Sequence, residues 1–276
     1  MNDICRNMEK TIREAANSSS ETPYIIPSFI ESPKALPCVL ICPGGGYGFT
    51  SPREAEPVAR AYNDQGFHAL ILHYRTAPHK HPAPLLDVSN TLALLRQNAW
   101  ELNVDPEKII VCGFSAGGHL AASLGVHWNK EYLQNEICSS RGQNRPNALI
   151  LSYPVISSGE DAHRGSFDNL LGENADAQLL EEMSLEKQVG NQTPPAFLWH
   201  TADDASVPVE NSFLFAKALK KENIPFELHI YPSGPHGLSL ATAETDESGD
   251  TSMTVPHVQG WLELSARWIK NLKSFN

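Results

Sequence analysis

A serine between glycines stands at Gly113–Gly117, where the sequence reads G-F-S-A-G. The apolar segment 108–112 precedes it, and the small-residue segment 115–126 follows. This order predicts a strand that turns sharply into a helix, and glycines relieve the crowding at such a turn. The turn would leave the Ser115 hydroxyl exposed above a sheet, where a nucleophile is needed.

A nucleophilic serine needs a base, and the base needs an acid that orients it. Asp203 and Asp204 follow the apolar segment 196–200, and a proline- and glycine-rich turn after the segment 226–231 contains His236. Parallel strands bring such loops to one edge of a sheet, so we expect these groups near the serine. Adjacent side chains diverge, so only one aspartate can reach the imidazole. We favour Asp204 because its D-x-x-V-P sequence leads into the next helix, and Asp203 stays the alternative.

Attack on an ester creates a negative oxygen that needs fixed hydrogen-bond donors. One predicted donor is the backbone N–H of Ala116, directly after the serine. The others are the N–H groups of Gly45 and Gly46 in the loop P-G-G-G-Y-G-F. A dinucleotide-binding loop fits less well, because the segment does not continue to G-x-G-x-x-G. Tyr47 and Phe49 are predicted to contact substrate, with packing against the sheet as the alternative.

The segments PGGGY, GFSAGGHLAA, HTADDASVP and YPSGPHG together resemble the α/β-hydrolase esterase and lipase family. The chain is especially similar to bacterial acetyl-esterase-like members, which are often linked to deacetylation of xylan or other sugars. The similarity covers about 36–128 and 194–240. The resemblance implies a serine carboxylesterase with Ser115, Asp204 and His236 as its triad.

The sequence departs from that family at two positions. Pro43 stands where many relatives have the histidine of H-G-G-G, and Thr201 replaces the glycine of H-G-x-x-D. Neither change removes a catalytic group. The resemblance therefore implies hydrolysis of small-acyl esters, acetyl esters above all, through an acyl-enzyme and without a cofactor. The expected substrates are such esters of sugars or xylo-oligosaccharides. A small serine peptidase of this fold and a non-catalytic binding protein of this fold stay open.

Apolar segments of strand length alternate with helical patterns along the chain, which predicts an α/β fold. Because the segments are almost continuously apolar, we expect a mostly parallel central sheet with helices on both faces, the α/β-hydrolase fold. The predicted strands are 24–30, 36–42, 67–74, 108–112, 148–153, 196–200 and 226–231. The predicted helices are 52–65, 87–100, 115–126, one from about 208 and one from about 255. We expect a single domain, 1–276, with an N-terminal tail and a cap-like insertion at about 154–195 that contains a helical piece near 175–183.

Composition limits the partners and the cofactors. Lys and Arg number 21 against 32 Asp and Glu, so the formal net charge is −11. This charge disfavours binding to nucleic acid and to anionic membranes. The resemblance implies a small-molecule ester as the partner, and the oligomeric state, a homodimer included, stays open. His79 and His81 lack carboxylate or cysteine partners at ligand spacing, so no metal is expected. Glu54 and Glu56 are expected on a solvated helix face.

The expected location is the cytoplasm. The five cysteines contain no C-x-x-C pair, which favours reduced thiols over a disulfide framework. The first residues are charged and lack the apolar stretch of a secretory signal. No apolar run approaches the roughly 18 residues of a membrane-spanning helix.

Overall fold

Seven strands and nine α-helices lie in the described part of this computed structural model, which comprises residues 3–16 and 22–272. The strands are β1 (Tyr24–Ser28), β2 (Leu36–Cys42), β3 (His68–His73), β4 (Val104–Phe114), β5 (Ala148–Ser152), β6 (Ala196–Thr201) and β7 (Phe226–Tyr231). The helices are α1 (Asp3–Ala15), α2 (Glu56–Asp64), α3 (Ala83–Gln97), α4 (Ala116–His127), α5 (Glu131–Asn135), α6 (Arg164–Leu171), α7 (Ala177–Glu182), α8 (Glu210–Lys221) and α9 (Trp261–Asn271). Short 3-10 turns occupy Pro52–Glu54, Leu185–Lys187 and Ala243–Thr245.

The strands form one sheet in the order β1-β3-β2-β4-β5-β6-β7. β1 pairs antiparallel with β3, and every other neighbouring pair is parallel. This arrangement confirms the predicted mostly parallel α/β sheet. The chain runs from β2 to β3 on one side and then crosses to β4 on the other, so the loops after β2 and β4 leave a crevice between them. The register pairs Cys42 with Gly113, which places the glycine-rich loop beside the serine turn.

Alternate residues of the strands pack on opposite faces of the sheet. On β2, Leu40 belongs to the apolar cluster that includes residues of α1, α3 and α4, whereas Val39 and Ile41 belong to the cluster formed with α2 and α9. Because both faces are covered, the buried strands β2, β5 and β6 contain apolar residues at consecutive positions rather than only at every second one.

The N-terminal segment contains a helix that was not predicted. In α1, the side chains of Cys5, Met8 and Ile12 are buried, and the helix packs against α3 and β1. These residues follow the spacing i, i+3, i+7 of an apolar stripe. The stripe is hard to recognise in the sequence because most of the residues between them are polar or charged. The prediction of a tail is wrong for the described residues 3–16.

Two helices occupy the predicted insertion at 154–195. α7 lies within the predicted helical piece, whereas α6 was not predicted. α6 packs next to the glycine-rich loop, since Asn169 Nδ2 donates a hydrogen bond to the Gly46 carbonyl oxygen at 2.9 Å. A cap function for this segment stays a prediction. Across the described residues, no helix is both long and apolar enough to cross a membrane.

Candidate active site

Ser115 is the single residue between the end of β4 and the start of α4. Its backbone angles, φ 52° and ψ −118°, lie in a region that residues other than glycine rarely adopt. The flanking glycines are required by close approach: a Cβ atom on Gly113 would overlap the Gly117 carbonyl, and one on Gly117 would overlap the Cys42 carbonyl. The turn therefore holds the serine in a strained position at the crevice.

The predicted base lies within hydrogen-bond distance of the serine. His236 Nε2 is 2.8 Å from Ser115 Oγ, and His236 Nδ1 is 2.6 Å from Asp204 Oδ2. Since an ionised carboxylate can only accept, Nδ1 carries the proton toward Asp204 and Nε2 accepts from the serine hydroxyl. This is the tautomer that a general base for Ser115 needs.

The Asp204 carboxylate is buried and surrounded by donors. Its Oδ1 accepts from the backbone N–H groups of Ser206 and Val207, each at 2.9 Å, and His200 Nε2 lies 3.3 Å from Oδ2. Burial alone would raise the pKa of Asp204, but the hydrogen bonds from His200, His236 and Val207 outweigh it and hold that pKa below its ordinary value. The side chain is therefore an anion aligned with the imidazole.

The neighbouring Asp203 does not meet the imidazole. Its Oδ1 accepts from the Gly234 N–H at 2.8 Å, two residues before the histidine. Thr201 Oγ1 donates to the Gly234 carbonyl oxygen at 2.8 Å. Thr201, the departure from the family pattern, thus helps Asp203 to hold the histidine loop.

Within the described residues, backbone N–H groups without a hydrogen-bond acceptor lie in the loop beside the serine and directly after the serine itself. In the part of the chain that is described, the N–H groups of Gly45 and Gly46 have no hydrogen-bond acceptor. Ala116 begins α4, so its N–H has no acceptor within that helix. The loop lies close to the nucleophile, because a Cβ atom on Gly44 would lie 3.1 Å from Ser115 Cβ. These donors suit the negative oxygen of a tetrahedral intermediate.

Tyr47 and Phe49 occupy different environments. Tyr47 is buried, and its hydroxyl lies 2.8 Å from His119 Nδ1. His119 Nε2 lies 3.0 Å from the Met183 carbonyl oxygen, so it carries the ring proton and Tyr47 donates to Nδ1. Tyr47 therefore anchors the glycine-rich loop to His119 of α4. Its side chain has almost no surface that a substrate could contact. Phe49 is 61% exposed and lies against Gly45 of the same loop.

Glu54 lies in a different environment from the predicted one, and Tyr153 was not predicted to lie at the site. Glu54 is 2% exposed, so the expectation of a solvated face is wrong for it. It lies on the Pro52–Glu54 turn, ahead of α2, and accepts a hydrogen bond from Tyr153. The Tyr153 ring packs edge-on against the His236 ring, with 5.1 Å between the centroids. Neither residue belongs to a recognisable sequence motif. Both contact the site through segments that are distant in the sequence.

No group of three or more His, Cys, Asp or Glu side chains within residues 3–16 and 22–272 could hold a metal ion. His81 instead packs edge-on against Tyr132. The absence of a metal stays a prediction.

The sheet order and the serine turn define an α/β-hydrolase fold. The crystal structure of an acetyl ester-xyloside bifunctional hydrolase from Caldicellulosiruptor lactoaceticus is similar, with a TM-score of 0.81 and 44% identity over 92% of this chain and 89% of that one. The carboxylesterase Cest-2923 from Lactobacillus plantarum matches with a TM-score of 0.79 and 27% identity, over 92% and 94% of the two chains.

Residues 26–219 match the BD-FAE family model, and the chain belongs to this family. Endo-1,4-beta-xylanase B of Butyrivibrio fibrisolvens is 42% identical over 212 residues, which is 75% of this chain and 33% of the xylanase. The acetylxylan esterase of Xylanibacter ruminicola is 33% identical over 206 residues, which is 72% of this chain and 40% of the esterase. The chain thus spans about a third to two fifths of these curated relatives.

Proposed function

We propose that this protein is a serine carboxylesterase that removes small acyl groups, acetyl above all, from esters of sugars or xylo-oligosaccharides. The observation that carries the proposal is the continuous hydrogen-bonded series from Ser115 Oγ through His236 to Asp204. Similarity to an acetylxylan esterase and to an acetyl ester-xyloside hydrolase supports the class of substrate.

In this mechanism Ser115 Oγ attacks the ester carbonyl carbon while its proton moves to His236 Nε2. The carbonyl electron pair moves onto the oxygen, which the N–H groups of Gly45, Gly46 and Ala116 stabilise. Collapse of this intermediate breaks the bond to the alcohol, which takes the proton from His236. Water then attacks the acyl-serine with the same base and releases the carboxylic acid.

Asp204 keeps the imidazole in the productive tautomer and stabilises the imidazolium formed during attack. Its lowered pKa keeps it ionised at neutral pH, as this role requires. Phe49 supplies an exposed aromatic face on the glycine-rich loop, and the apolar face of a sugar can pack on it.

A substrate panel tests the proposal. Purified protein is assayed with 4-nitrophenyl esters of increasing acyl length, with acetylated xylo-oligosaccharides and with dipeptide amides. We expect the highest kcat/KM for acetyl esters, release of acetate from the oligosaccharides, and no turnover by Ser115→Ala. Preferred cleavage of the amides would identify a peptidase instead, and equal activity of Ser115→Ala would contradict a serine mechanism.

The location and the assembly are part of the proposal. The thiols of Cys38, Cys42 and Cys112 are buried, and burial raises the pKa of all three, so they stay protonated and react poorly. The five cysteines form no disulfide among the described residues, which agrees with the proposed cytoplasmic location. The homodimer stays a prediction.

A further inference from the structure

Both oxygens of the buried Glu54 carboxylate accept hydrogen bonds. Oε2 accepts from the Gly44 backbone N–H at 2.7 Å, and Oε1 accepts from the Tyr153 hydroxyl at 2.6 Å. The Tyr153 oxygen in turn accepts from the Ser239 backbone N–H at 2.9 Å. One carboxylate therefore joins the loops after β2 and β7 through the residue that follows β5.

Each connected segment holds part of the catalytic site. Gly44 precedes Gly45 and Gly46, whose N–H groups are the proposed oxyanion donors. Ser239 lies three residues after His236, and its hydroxyl donates to the Arg53 carbonyl oxygen at 2.6 Å. The Tyr153 ring supports the imidazole directly through its edge-on contact. The direction of the donors and the position of the base thus depend on the same carboxylate.

Burial of this carboxylate is costly, and the hydrogen bonds only partly offset the cost. Burial raises the pKa of Glu54, while the bonds from Tyr153 and Gly44 and the charges of His236 and Arg53 act in the opposite direction. An apolar side chain would fill this space without the desolvation penalty, but it would leave the Gly44 N–H without an acceptor. The group therefore contributes more to loop geometry than to stability.

We propose that Glu54 is a positioning residue for ester hydrolysis: it fixes the glycine-rich loop and the histidine loop in the arrangement that the transition state requires. This inference rests on the proposed serine esterase function. The oxyanion forms only after attack, so misdirected donors lower kcat while ground-state binding, and hence KM, changes little.

The experiment compares Glu54→Gln, Glu54→Ala and Tyr153→Phe with wild type on 4-nitrophenyl acetate. In Glu54→Ala we expect kcat to fall about 100-fold, as for loss of one oxyanion donor, with KM within about twofold. Glu54→Gln keeps an oxygen for the Gly44 N–H but loses the acceptor for Tyr153, so we expect a loss of about tenfold, matching Tyr153→Phe. Affinity for a trifluoromethyl ketone, which mimics the intermediate, should fall in parallel with kcat.

Tyr62→Phe is the matched control, because it deletes another buried hydroxyl, 3.0 Å from Ser265 Oγ, in the cluster of α2 and α9. We expect this variant to keep the wild-type kcat. Thermal unfolding identifies folded variants, and if Glu54→Ala does not fold, Glu54→Gln and Tyr153→Phe decide the question. Wild-type kcat in folded Glu54 and Tyr153 variants would overturn the inference alone, whereas a wild-type protein without esterase activity would overturn the proposed function.

Discussion

At the scale of single residues, two adjacent aspartates have different partners because the chain turns between them. Asp204 points into the protein and meets His236, whereas Asp203 points along the loop and holds the Gly234 N–H. The first contact orients the base, and the second orients the loop that contains it. The two side chains therefore form a natural pair for an isosteric comparison.

We predict that Asp204→Asn lowers kcat about 10⁴-fold, because an amide favours the wrong imidazole tautomer. Asp203→Asn keeps an oxygen that accepts from Gly234, so its kcat should stay within about threefold of wild type. Initial rates with 4-nitrophenyl acetate measure both. The reverse order of effects would assign the acid to Asp203.

His119 provides a pH-dependent contribution to stability. Burial lowers its pKa to about 4, whereas an exposed histidine in the unfolded chain has a pKa of about 6.5. Between these values the unfolded chain binds the proton and the folded protein does not, so falling pH favours unfolding. The contribution of neutral His119 to the free energy of unfolding is complete above about pH 6.5 and is lost as the pH falls toward about 4.

We predict that His119 accounts for about 3 kcal/mol of the decrease in unfolding free energy between these pH values. Urea unfolding of wild type and His119→Gln across this range measures the difference. The variant should show a shallower pH dependence, with the remainder due to other buried groups such as His127, whose pKa burial also lowers to about 4. Parallel curves for the two proteins would contradict the prediction.

That Ser115, Asp204 and His236 lie together could be predicted, because the proposed chemistry needs particular residue types in a particular chain order. Ser115 and His236 each lie in a glycine-containing turn after an apolar segment, so both the residue type and its position in the sequence identify them as candidates. The support residues lack such marks. Glu54 looks like any charged residue near a helix, and only the packing of β5 and the two loops around it shows that it is buried.

At the scale of elements, α4 can begin beside β2 only because its first turn contains glycines. A Cβ atom on Gly117 would overlap the carbonyl oxygens of Cys42 and Pro43. These backbone groups belong to the end of β2 and to the loop that contains the predicted donors, so they cannot move without disturbing the site.

We predict that Gly117→Ala lowers the unfolding free energy by about 3 kcal/mol, because the added methyl group forces the backbones apart. Gly260→Ala is the control. Gly260 has a helical φ of −69°, and no heavy atom lies within 4 Å of its added Cβ, so stability should change by less than about 0.5 kcal/mol. Urea unfolding measures both, and wild-type stability of Gly117→Ala would show that the backbones are free to separate.

The strands were easier to predict than the peripheral helices. β2 has the predicted bounds, because a strand buried on both faces appears as a continuous apolar segment. β7 also has the predicted bounds, although it is only half-buried and its apolar residues alternate with Glu227 and His229. α1 and α6 contribute only a few residues to the core, and partners far away in the sequence determine their burial. The local sequence pattern alone therefore does not predict these helices, because tertiary packing stabilises them.

At the scale of the whole molecule, the strand order brings the site together. β2 lies between β3 and β4, so the crevice opens where the chain changes direction across the sheet. The proposed donors follow β2, the proposed nucleophile follows β4, and the proposed acid and base follow β6 and β7. A parallel sheet places all four loops at one edge, which explains why the site could be predicted from chain order before any distance was known.

Ser115 is the proposed nucleophile of an esterase, and a fluorophosphonate tests this role most directly. The reagent is added in increasing amounts, and residual hydrolysis of 4-nitrophenyl acetate is compared with the adduct mass on mapped peptides. We predict one adduct per chain, on Ser115, formed in proportion to the loss of activity and absent from Ser115→Ala. Loss of activity without an adduct on Ser115 would contradict this account.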